Sequence, residues 1–184
     1  MLRAFVERAR GGDEEAFGAL TRVVGDRCMA IAYRILRDVD LAEDAVQTAL
    51  VSAWRELPSL RNPDRFEPWL HRMLVHACYA EARRSRKWAA NVRVLAVESE
   101  MTSRDVLAVN DRDQLERGLR RLPPEQRAVL VFHHYLGLTL PEVADHLGIP
   151  VGTVKSRLHY ATAALRSAIE ADARTPALSQ ERPA

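Results

Sequence analysis

The stretch Thr139-Leu140-Pro141-Glu142-Val143-Ala144-Asp145-His146-Leu147-Gly148-Ile149-Pro150-Val151-Gly152-Thr153-Val154-Lys155-Ser156-Arg157-Leu158 decides the fold. Thr139 and Glu142 have capping-box spacing, and Pro141 sits where a first helical turn tolerates proline. The helix they open is short, with Val143, Ala144 and Leu147 as its apolar positions, and it stops at Gly148. Ile149-Pro150-Val151-Gly152 is a turn. A longer helix follows, with Val154, Leu158, Ala161, Leu165 and Ile169 inward. Two helices that cross steeply need a small residue at closest approach, and Ala144 supplies it. The turn needs a positive φ, which Gly148 adopts without strain. The side chains left outside are Lys155, Ser156, Arg157, His159 and Tyr160, donors and rings without an acid. This is a helix-turn-helix whose second helix suits a major groove of duplex DNA. A plain helical hairpin is the bland alternative.

Upstream, Asp113 to Leu122 is a short helix broken by Pro123-Pro124. Pro124 starts the next helix, through Val129, Phe132 and Tyr135 to Gly137. The first half is also helical. Asp13 caps a helix with Ala16, Phe17, Leu20, Val23, Val24, Cys28, Ile31, Ile35 and Leu36 on one face. Asp40 and Glu43 have capping-box spacing for a second helix, whose apolar face runs from Val46 to Leu57. Pro58 ends it, and residues 58–64 form a loop. A third helix opens near Phe66 with Pro68 in its first turn. It runs along Trp69, Leu70, Met73, Leu74, Ala77 and Cys78 to a basic end at Arg83, Arg84, Arg86 and Lys87. The fold class is therefore all-α, two small helical domains joined by a linker. The expected division is 1–87, a linker 88–111, a helix-turn-helix unit 112–171, and a flexible tail 172–184.

The chain has 184 residues, 27 Lys+Arg against 25 Asp+Glu and a net charge of +2, so any basic face must be local. Arg83 to Lys87 is one basic patch, and residues 146–169 hold Lys155, Arg157 and Arg166 with no acid. Acids concentrate at Asp13 to Glu15 and at Asp38, Asp40, Glu43 and Asp44. Two basic patches and a separate acidic face suggest two kinds of partner; solvated helix faces are the plainer reading. No apolar run spans a membrane and no signal-peptide pattern opens the chain, so the reading is cytoplasmic. Cys28 and Cys78 read as buried free thiols.

No catalytic constellation stands out, and neither a cofactor nor a metal is expected. His71 and His76 lie five apart and share a face poorly, so a histidine metal site needs a tertiary coincidence. Trp54, Phe66, Trp69, Tyr79 and Trp88 lie near the basic cluster, where rings can stack on unpaired bases. Helical spacing places Trp54 and Trp69 in the core. Tyr79, Trp88 and the loop 60–65 are better placed for bases.

Ala42-Glu43-Asp44-Ala45-Val46-Gln47, Ala53-Trp54 and Phe66-Glu67-Pro68-Trp69-Leu70-His71-Arg72 resemble region 2 of extracytoplasmic-function sigma factors. Leu122-Pro123-Pro124-Glu125-Gln126-Arg127, Glu142-Val143-Ala144 and Gly152-Thr153-Val154-Lys155-Ser156-Arg157-Leu158 resemble their region 4. The resemblance covers residues 10–170 in order. It implies a sigma factor that binds core RNA polymerase and directs it to promoters. It places Asp44 and Gln47 against the β′ clamp helices and the C-terminal unit near the β flap. It assigns the minus-ten element, as melted single strand, to Arg61, Asn62, Asp64, Arg65, His76, Tyr79, Arg83, Arg84 and Lys87. It assigns the minus-thirty-five element, as duplex, to Thr153, Lys155, Ser156, Arg157, His159 and Tyr160. It implies an anti-sigma factor as a further partner. His76 departs from the Asn frequent in the family, Tyr160 from a frequent Arg, and Thr48 from a frequent acid. Two other readings remain: a dimeric helix-turn-helix regulator, and a helical metalloenzyme using His71, His76 and Cys78.

Overall fold

The computed structural model describes residues 2–95 and 111–178, with side chains described for 2–88 and 114–170. Those residues are helical, with no strand among them. The order is α1 (Leu2–Arg10), α2 (Glu14–Leu36), α3 (Val39–Glu56), α4 (Phe66–Leu95), α5 (Asp111–Arg121), α6 (Pro124–Leu130), α7 (Leu140–Leu147) and α8 (Val151–Leu178). Two 3₁₀ turns, Leu57–Ser59 and Pro63–Arg65, join α3 to α4, and a π-helical turn, Val131–Tyr135, extends α6.

The helix ends follow local chemistry. The Asp13 carboxylate accepts from the N–H of Ala16, 2.9 Å away, and satisfies a first-turn donor of α2. The cap of α3 is Asp38, which accepts from Leu41 N–H, rather than the expected Asp40. Asp38 lies in extended backbone just before Val39, so it can turn back on the first turn, whereas Asp40 is already inside the helix. Arg37 between α2 and α3 holds φ 60, and its N–H donates to the Tyr33 carbonyl. At α7 the Glu142 carboxylate accepts from both the backbone N–H (2.8 Å) and the hydroxyl (2.6 Å) of Thr139. Gly148 ends α7 at φ 66. Asn62 accepts from Asp64 N–H within the interhelical loop.

Three further boundaries differ from expectation. The charged first segment forms α1, with Val6 and Ala9 buried. Helix α4 continues past Lys87 to Leu95, into the expected linker, whose residues 96–110 lie outside the described ones. Helix α8 begins at Val151 inside the expected turn and runs to Leu178; of the expected tail, 179–184 lie outside the described residues. The predicted inward stripe of α8 holds at Val154 and Ala161, both fully buried, but Ile169 is exposed.

Helices α2, α3 and α4 pack mutually, with α1 against α2, while α6 and α5 pack on α8 and α7 on α8. The two groups are joined: α4 packs on α7 and α6, and α2 packs on α6. One apolar core therefore runs from Val6, Leu20, Ile31 and Leu74 through Phe132 to Val143 and Val154. Trp69 packs against it, and Trp54 meets Phe17 at a tilt with ring centroids 4.9 Å apart. Cys28 and Cys78 are buried and free. Burial pushes their thiols up, to about 11 and about 12.

Candidate nucleic-acid interface

Helix α4 supplies the first face. Arg72, His76, Ala80, Arg83 and Lys87 recur at threes and fours, and all are exposed. Arg84 and Arg86 flank the stripe and are exposed too, whereas Glu81, the acid nearest it, is buried. The exposed charged residues of this helix from 82 to 88 are thus all positive. His76 also lines a groove of about 510 Å³ between α3 and α4, with Trp69, Arg72 and Met73. Arg72 was not expected at this face, although its spacing of four from His76 was readable. Trp88, at the end of the stripe, is 70% exposed.

The loop expected to hold a base, residues 60–65, exposes Arg61, Asn62, Asp64 and Arg65 beside the start of α4. Asp64 is paired with Arg3 of α1 at 3.2 Å. Arg65 is paired with Asp145 of α7. Tyr79 does not lie open for stacking. Its hydroxyl is buried beside the Arg157 guanidinium of α8, and burial pushes the phenol up.

Helix α8 supplies the second face. Lys155, Ser156, His159 and Tyr160 are exposed, Tyr160 at 63%, while Thr153 and Arg157 are half-buried. Periodicity could not separate Arg157 from its neighbours, because its guanidinium meets Tyr79 of α4 in the other half of the chain. The Ser156 hydroxyl donates to the Thr153 carbonyl, 3.1 Å away.

Asp44 and Gln47 lie exposed on α3. Arg84 bridges Asp44 (3.1 Å) and the buried Glu81 (2.6 Å), so the acidic and basic surfaces meet at one guanidinium.

Sequence reasoning missed the seam between the two halves. His71 is buried, its Nδ1 2.8 Å from Nδ1 of His146, and it meets Phe132 edge-on. Burial depresses His71 to about 3, with the His146 charge acting in the same direction. The Arg72 guanidinium donates to the Asp145 carbonyl, and Arg34 lies 3.8 Å over the Tyr135 ring. The metalloenzyme reading fails on geometry. His71 and Cys78 are buried while His76 is exposed, and no three His, Cys, Asp or Glu side chains converge among the described residues. No described helix is long and apolar enough to cross a membrane.

An all-helical chain with two acid-free helix faces, one on a helix-turn-helix, is a nucleic-acid-binding protein by architecture. Sigma-70 region 2 matches residues 20–88, and sigma-70 region 4 matches residues 112–165. The ECF RNA polymerase sigma factor SigM of Mycobacterium tuberculosis is 34% identical over 161 residues, covering 84% of this chain and 77% of that protein. SigW of Bacillus subtilis, another ECF RNA polymerase sigma factor, is 27% identical over 178 residues, covering 90% and 95%. The solved structure of CnrH in complex with the cytosolic domain of CnrY superposes with a TM-score of 0.64 at 26% identity, covering 93% of this chain and 98% of CnrH. The chain belongs to the sigma-70 family, among its extracytoplasmic-function members, and is an RNA polymerase sigma factor.

Proposed function

We propose that the two halves of this sigma factor divide promoter recognition between them. Residues 1–87 dock on core RNA polymerase through Asp44 and Gln47 and capture the melted minus-ten strand. Arg61, Asn62, Asp64, Arg65, His76, Arg83, Arg84 and Lys87 form that surface, and Arg72 joins it. Residues 112–171 seat α8 in the minus-thirty-five duplex through Thr153, Lys155, Ser156, Arg157, His159 and Tyr160, close to the β flap. Residues 96–110 connect α4 to α5 and so join the two halves. The observation that carries this reading is the pair of exposed acid-free faces, one on α4 and one on α8. Exposed cations suit a phosphate backbone, and the His76 groove suits an unstacked base.

Tyr79 and Arg157 face each other across the seam, so both become available only when the two halves part. Splitting the binding free energy over two tethered units lets neither bind tightly alone. A protein that clasps the closed form would keep the factor inactive. The solved complex of CnrH with the cytosolic domain of CnrY supports a protein partner for this chain, and an anti-sigma factor is the partner the family resemblance implies.

Run-off transcription with purified core polymerase on a promoter library tests the reading. Promoter-specific transcripts should appear only when this protein is added. Absence of any complex with core polymerase would overturn it, as would tight palindrome binding by a homodimer of the chain alone.

A further inference from the structure

A cavity of about 520 Å³ opens where the two halves meet, between the α2–α3 corner, the basic end of α4 and the α5–α6 junction. Five arginines line it: Arg37 and Arg86 from the first half, Arg120, Arg121 and Arg127 from the second. Asp38 is the one acid in the lining, and its carboxylate already accepts from Leu41 N–H as the cap of α3. Glu116, outside the lining, pairs with Arg37 and with Arg120, the latter at 3.2 Å. Arg37 and Arg120 thus share the one carboxylate of Glu116.

Arg127 is the unusual member. It is only 7% exposed, and one of its terminal nitrogens donates to the Leu119 carbonyl at 3.3 Å. Its Nε is buried and has no hydrogen-bond partner among the described residues. A buried donor left unpaired costs free energy that a ligand acceptor would recover. Burial, and then the nearby charges of Arg37 and Arg86, lower its guanidinium to about 10. The site is short of negative charge.

We propose that this cavity binds a small polyphosphate anion, with Arg127 at its base and Arg37, Arg86 and Arg120 around it. Guanidinium forks match phosphate oxygens two at a time, which is why several arginines in a concave site favour phosphate over a single carboxylate. The volume falls in the range of about 300–1,000 Å³ typical of small-molecule sites, far above the ~30 Å³ of one water. A diphosphate or triphosphate fits, alone or carried on an organic group that would lie along Leu36, Leu41 and Leu122. Because both halves supply arginines, an occupant binds the closed arrangement better than an opened one and shifts the equilibrium toward it. The site stands independently of the promoter reading.

Calorimetric titration of the full chain at low salt tests the assignment, with inorganic pyrophosphate, tripolyphosphate, a nucleoside diphosphate, sulfate and an oligoglutamate peptide as separate probes. Pyrophosphate and tripolyphosphate should bind at one saturable site, sulfate much more weakly, and bound polyphosphate should raise the unfolding temperature. Tighter binding of the nucleoside diphosphate than of pyrophosphate would place an organic group on the apolar wall; equal binding would confine recognition to phosphate. Arg127→Gln should weaken binding about tenfold or more. Should that variant fail to fold, Arg86→Gln and Arg120→Gln, both exposed, should each weaken it several-fold. Arg55→Gln, the same charge change on α3 outside the cavity, should leave it unchanged. Equal losses in all of these variants, no saturable heat with either polyphosphate, or a preference for the oligoglutamate would overturn the proposal.

Discussion

Nδ1 of His71 on α4 lies 2.8 Å from Nδ1 of His146 on α7, and this contact joins the two halves of the molecule. Only one of the two nitrogens can carry the proton at that distance, so at least one ring must be a neutral acceptor. The Phe132 ring meets both His71 and His146 edge-on, and Arg27 adds positive charge that disfavours protonation of His71. His146 is half-buried among Asp145, Glu67, Glu142 and Arg65, and burial is the main influence lowering it.

Acid should therefore destabilise the fold through this pair. The native state holds His71 neutral down to about pH 3, whereas the unfolded chain protonates near 6.5. The unfolded state binds more protons across that window, so the contribution is complete above about pH 6.5 and erodes as pH falls toward about 3. Thermal unfolding should show a lower melting temperature at pH 5 than at pH 7.5, with a shallower dependence in His71→Leu. Identical pH profiles for the two proteins would refute the assignment.

Gly148→Ala should destabilise the helix-turn-helix by about 1–2 kcal/mol, because φ 66 is left-handed backbone that a β-carbon disfavours. The added β-carbon would also lie 2.8 Å from Nε of Arg72, the end of a flexible side chain that can move aside. Backbone strain should dominate, so the cost should be nearly the same in an Arg72→Ala background. A cost that vanishes there would show that the collision matters instead. Urea titrations of the four proteins decide it.

Phe132→Ala should cost about 3–5 kcal/mol, since the ring is fully buried where α6 meets α4. Because one core crosses both halves, unfolding should remain a single transition shifted to lower denaturant. Two separated transitions in the wild type would show that the halves fold independently.

Asp44→Ala should abolish binding to core polymerase in a pull-down while leaving the circular dichroism melt almost unchanged. Its pairing with Arg84 is solvent-exposed on both sides, and such pairs add little to stability. A protein that unfolds on this change, or that still binds polymerase normally, would remove Asp44 from the docking surface.

Lys155→Ala should reduce the slope of log affinity against log salt by about one if its ammonium sits on a phosphate. If it reads a base edge, the slope stays and preference relaxes at one promoter position. Promoter binding by holoenzyme across a salt series separates the two.

Local signals carried much of the architecture. Asp13, the Thr139–Glu142 box and Gly148 each act through atoms within a few residues, so composition and spacing located them. Asp38 was missed by two positions because Asp40 offers the same side chain and only the backbone conformation tells them apart. The extension of α4 was not legible because the residues after Lys87 lose the apolar stripe that marks a packed helix. Exposure at Lys155, Ser156, His159 and Tyr160 followed from periodicity. The meeting of Tyr79 and Arg157 did not, since they lie in opposite halves of the chain. His146 and Arg127 read as ordinary helix residues until the halves come together, and no spacing rule links positions so far apart.

The shared apolar core has a thermal consequence. Pulling α7 from α4 wets Ala144 and the Phe132 surround, so separation should carry a positive heat-capacity change. Attraction of that kind fades on cooling. A cold cell would find the molecule easier to prise open than a warm one.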